Sequence, residues 1–107
     1  MLIPSTDGVL VSAYDLAGPA DGQPLLISHA TGFHGVAYKP LAEALAPRFH
    51  STAFDYRGHG DTAQPPNVGV DWRRYTDDVE AVALTLPAPL PAQAVYPLLQ
   101  SHRSRPA

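Results

Sequence analysis

Two short stretches of this 107-residue chain carry residue types suited to chemistry. The first is His29-Ala30-Thr31-Gly32-Phe33-His34-Gly35, and the second is Phe54-Asp55-Tyr56-Arg57-Gly58-His59-Gly60-Asp61-Thr62. In the first, Gly32 and Gly35 would let the backbone approach a ligand without side-chain obstruction. That leaves amide N–H groups to face a developing negative charge, with His29 holding the loop from below. Five histidines, at positions 29, 34, 50, 59 and 102, raise the question of a metal. None forms a His-x-x-x-His pair or a close His/Cys cluster, so no metal site is expected and they read as loop or surface residues.

Each stretch lies where a strand stops. The run Val9–Leu16 alternates well enough for an exposed antiparallel strand, closed by a turn-rich segment up to Pro24. Leu25–Ser28 is short and apolar, as in a parallel strand covered on both faces, and the first stretch begins at its end. A helix is expected from Ala37 or Tyr38, with Pro40 tolerated in its first turn, Leu41, Ala42 and Leu45 on one face, and Pro47 as the stop. His50–Phe54 reads as the next strand, bounded by that proline and by the Arg57–Gly60 turn. Asp71 can cap a second helix, in which Trp72, Tyr75, Val79, Val82, Ala83 and Leu86 form an apolar stripe and Arg73 and Arg74 are solvated. The order strand, strand, helix, strand, helix is that of an α/β fold, and ligands bind such sheets at the carboxyl ends of their strands.

Together the two stretches resemble motifs of the α/β-hydrolase fold family. There a His-Gly-type loop after the third strand is followed, one helix and one strand later, by Asp-x-Arg-Gly-x-Gly-x-Ser. Here Ala30 stands for the usual glycine and Thr62 for the last serine. The resemblance runs from about Asp7 to Leu86. It implies an incomplete sheet, with an antiparallel N-terminal strand and then parallel strands with helices. It also implies that the Thr31 N–H is one oxyanion-hole donor, with Gly32 and Phe33 shaping the pocket floor. His29, Asp55, Arg57, Gly58 and Gly60 would be loop-shaping residues, the last four forming an Arg-centred polar network with glycines at positive φ.

The family also uses a nucleophile on a strand-to-helix turn, usually Gly-x-Ser-x-Gly, with the acid and then the histidine further on. None is found. The last glycine is Gly69, ahead of the second helix, and no carboxylate follows Glu80, so Ser101 and Ser104 cannot open such a series. Asp77 and Asp78 fall within the helical pattern and fail as Asp nucleophiles. No catalytic residue is therefore assigned. In the intact family the reaction is serine-type hydrolysis of an ester-like small molecule without a cofactor, and this chain is expected to be inactive alone.

Composition limits the alternatives. Hydrophobic residues make up 45% and charged residues 16%, with a formal net charge of −3, which is ordinary globular composition and offers no basic patch for nucleic acid. No leader pattern and no membrane-spanning apolar run is present, so the cytoplasm is the default. After Leu86 the character changes: Pro87, Pro89, Pro91, Pro97 and Pro106 crowd a stretch without Asp, Glu or Gly. Residues 1–86 are thus expected to be the N-terminal portion of a hydrolase domain and 87–107 a disordered, low-complexity tail, such as a changed reading frame would give. A second reading from a different class is a non-catalytic interaction module that self-associates through an exposed sheet edge.

Overall fold

The computed structural model describes residues 1–30, 32–66 and 71–86. The expected 87–107 tail lies outside the described residues. A tight reversal at Asp7 and Gly8, both at positive φ (59° and 74°), folds strand β1 (Leu2–Pro4) back onto β2 (Leu10–Ala17). The two pair antiparallel, Leu2 opposite Ser12 and Pro4 opposite Leu10. Strand β3 (Gln23–Ser28) is followed by a 3-10 turn at Gly35–Tyr38, helix α1 (Lys39–Leu45), strand β4 (Phe49–Phe54) and helix α2 (Arg73–Ala83). The sheet order is β1-β2-β4-β3: β4 runs parallel to β3, with Leu26 opposite Thr52, and antiparallel to β2, with Ala13 opposite Phe54.

Strand alternation divides the side chains between two faces. Val11, Ala13, Leu26 and Phe54 point toward Tyr75, Val79 and Val82 of α2, while Ile27 and Ala53 meet Ala42 of α1. Helices thus cover both faces, as the apolar Leu25–Ser28 run requires. Phe54, Val79 and Val82 are fully buried. Each such side chain contributes about 1.5–3 kcal/mol, so this stripe outweighs any end cap in fixing α2. Asp71 nonetheless accepts the Arg73 N–H at 3.0 Å, while Trp72 just behind it has already turned helical.

Three expectations need correction. β2 is no exposed strand, because β1 and β4 flank it and Val11, Ser12 and Ala13 are buried. β1 itself was not foreseen, being three residues long and ending on a proline tolerable at an edge. The segment before α1 winds earlier and tighter, from Gly35, and Leu41 is exposed while Ala42 faces the sheet alone in its turn.

Candidate functional site

The segment after β3 is fastened at both ends to the residues after β4. At its start, the buried His29 accepts the Tyr56 N–H on Nε2 at 3.0 Å, and its Nδ1–H donates to the Ala30 carbonyl at 2.7 Å. One neutral tautomer satisfies both bonds. Burial lowers the His29 pKa, with the neighbouring His59 adding to the effect, and these outweigh the bond to Ala30 and the nearby Asp55 carboxylate. At its end, the Gly35 N–H donates to Asp55 Oδ1 at 2.6 Å. A Cβ on Gly35 would lie 3.0 Å from the Phe54 carbonyl oxygen, so this glycine lets the chain lie against the end of β4.

Between these ends, the Phe33 N–H closes a turn onto the Ala30 carbonyl at 2.9 Å, with Gly32 at φ 89°, a value that L side chains rarely adopt. The Ala30 N–H donates to the Tyr38 hydroxyl at 3.2 Å. The Phe33 amide is thus committed to the turn, while its ring is largely exposed. The Gly32 and His34 N–H groups have no hydrogen-bond partner among the described residues. Thr31 lies outside the described residues.

Asp55 is buried and takes three donors: the Gly35 N–H, the Tyr14 hydroxyl and the Asp61 N–H at 3.0 Å. Burial alone would push its carboxyl up, but these three bonds overcome it and hold the group below the usual carboxylate range. Gly60, at φ 47°, lies so close that a Cβ there would fall 2.3 Å from Asp55 Oδ2. Thr62 keeps the hydroxyl that the motif's serine would supply, and its Oγ1 accepts the Ser12 N–H at 2.9 Å.

Arg57 belongs to another cluster, and no hydrogen bond joins it to Asp55 among the described residues. Its Nη2 donates to Asp78 Oδ1 at 2.9 Å, its Nε to Asp78 Oδ2 at 3.2 Å, and its Nη1 to Asp7 Oδ2 at 2.8 Å. The Ser5 hydroxyl also donates to Asp78 at 2.7 Å. Burial would lower the Arg57 pKa, but the bonds and charges of Asp78 and Asp7 raise it. The expected single Arg-centred network is therefore two. Asp78 and Tyr14 were missed. Asp78 left a signal, a carboxylate inside the Tyr75–Val79–Val82 stripe, whereas nothing in the sequence singles out Tyr14.

The rings of His29, Tyr56, Tyr75 and His59 adjoin in a closed circuit, with centroids 4.9 Å apart for His29 and His59 and 5.0 Å for Tyr56 and Tyr75. His29 is thus no surface histidine. No group of three or more metal-ligating side chains occurs among the described residues. No described helix is long and apolar enough to cross a membrane.

Solved structures share this fold. An α/β hydrolase from Sphaerobacter thermophilus matches 79% of the chain at 29% identity and a TM-score of 0.64. A hydrolase from Pseudomonas aeruginosa matches 79% at 25% identity and 0.70, and the bottromycin epimerase BotH matches 82% at 25% identity and 0.66. No family model matches the sequence. The chain carries the N-terminal part of an α/β-hydrolase fold. It spans 31% of the length of the two hydrolases and 35% of that of the epimerase.

Proposed function

We propose that this chain supplies the oxyanion side of a serine-type α/β hydrolase acting on an ester-like small molecule, with the Thr31 and Gly32 backbone amides as donors beside Phe33. The observation that supports it most is the double fastening of the loop, His29 to Tyr56 and Gly35 to Asp55. A donor can stabilise a tetrahedral oxyanion only if it is fixed before the charge develops, and one such donor is worth about 2.7–4 kcal/mol. In this reading His29, Asp55, Gly58 and Gly60 shape the loops, and Arg57 anchors them to the rest of the domain. The serine attack, its general base and the acid that orients that base require groups that these 107 residues lack in the family's order. No cofactor takes part, and a cytoplasmic location belongs to the same reading.

Three measurements test it. Titration with an alkylphosphonate anion, which imitates the tetrahedral oxyanion, should shift the Gly32 amide resonance, and an unmoved Gly32 amide would end the oxyanion assignment. The purified chain should hydrolyse p-nitrophenyl acetate no faster than a control protein of equal histidine content. Labelling of one serine at full stoichiometry by a fluorophosphonate would show a nucleophile that the sequence reading overlooked.

The interaction-module reading draws on one observation: among the described residues β3 pairs only with β4, leaving its other edge open. Self-association through Gln23–Ser28 would raise the mass seen by light scattering with concentration. A constant monomer mass would set that reading aside.

A further inference from the structure

We propose that the His29–Tyr56 hydrogen bond is an acid-released tether, so that mild acid frees the strand end of the loop while its Gly35 end stays held by Asp55. The tether depends on a lone pair. His29 Nε2 accepts the Tyr56 N–H at 3.0 Å while Nδ1–H is committed to the Ala30 carbonyl at 2.7 Å. A proton added at Nε2 would set an N–H against an N–H, in a ring only 2% exposed. Swapping the proton between the two nitrogens would lose both bonds, so the loop has no second way to satisfy the ring.

The surroundings favour the neutral form. The Tyr56 ring meets the imidazole edge to face at 4.9 Å, and His59 lies at the same distance and becomes a like charge when protonated. His34 adds a second potential cation, while the bond to the Ala30 carbonyl and the Asp55 carboxylate oppose them. Beyond Ala30, the Tyr38 hydroxyl accepts a bond and brings no charge. The folded-state pKa is lowered, so the tether is fully made above the ordinary histidine value of about 6.5 and is lost as pH falls through the lower folded value. The Gly35 end answers to a carboxylate held below its ordinary range, which keeps its bonds to lower pH. Between the two lies a window in which one end is free and the other fixed. The effect on turnover rests on the oxyanion reading above, but the release itself is read without substrate.

The test is amide hydrogen exchange on the full chain, followed residue by residue by NMR between about pH 7.5 and pH 5. The Tyr56 amide should lose about tenfold or more of its protection while the Gly35 amide changes less than about twofold. His29→Gln, whose carboxamide oxygen can accept the Tyr56 N–H and does not titrate, should make the Tyr56 protection independent of pH. Should that variant not fold, the wild-type titration decides by itself. Flat Tyr56 protection, a joint fall at Tyr56 and Gly35, or a fall that persists in His29→Gln would each overturn the proposal.

Discussion

Asp55 and Arg57 are two residues apart, both buried, yet they serve opposite kinds of cluster. Around Arg57 the partners are side chains from distant parts of the chain: Asp78 from α2, and Ser5, Thr6 and Asp7 from the β1–β2 reversal. Charge meets charge there, and the cluster binds elements to one another. Around Asp55 two of the three donors are backbone N–H groups, so that one carboxylate dictates where main chain runs. The first arrangement fixes the position of a helix; the second fixes the direction of amides. Only the second bears on the proposed site, whose chemistry would use amides.

The comparison breaks most readily at Asp78. Asp78→Ala leaves the Arg57 guanidinium buried, with the partly exposed Asp7 as its remaining ion-pair partner among the described residues. It should cost about 3–5 kcal/mol in denaturant unfolding, since an unpaired buried charge is the dominant penalty. If it costs no more than Asp77→Ala, the cluster does not bind α2 as described. A smaller, local effect is expected at Gly60. Gly60→Ala adds a Cβ that collides with Asp55 and must take a positive φ, at about 1–3 kcal/mol. The amide resonances of Gly35 and Asp61 should move while those next to Asp78 stay put. Movement in both regions alike would mean the two clusters are one.

The smallest effect is in pH. Asp55 has a folded pKa below its unfolded one, so its contribution is fully present above the ordinary Asp value of about 3.9 and is lost as pH falls through the folded value. The wild type should therefore lose thermal stability below about pH 4 more steeply than Asp55→Asn, which has nothing left to titrate. Parallel curves would show that the three hydrogen bonds do not favour the ionised carboxylate.

Much of this was legible in the sequence, for physical reasons that differ from residue to residue. Leu25–Ser28 and the α2 stripe show themselves because burial imposes a period, and Pro47 and Gly58 show themselves because they punctuate. Asp78 was half legible: its place in an apolar stripe is unusual, but its partner Arg57 becomes visible only once the fold brings the two together. β1 was illegible because three residues carry no period. In the site, the motifs marked the two loops but could not say which amides each loop consumes. The Phe33 N–H is spent on a turn, and the Gly35 N–H on Asp55.

The sheet order also fixes a timetable. β4 sits between β2 and β3 but is made after both, and β2 and β3 do not pair with each other. As the chain leaves the ribosome, the β1–β2 hairpin is the one strand pairing of this sheet that can form before Phe49 appears, and an isolated hairpin is marginal in water. Leu26 and Ile27 of β3 must wait, uncovered, for the strand that joins the halves, and Arg57 waits longer still for Asp78. Assembly of this chain therefore hinges on the arrival of residues 49–54, and until then its apolar β3 is open to chaperones or to another nascent chain.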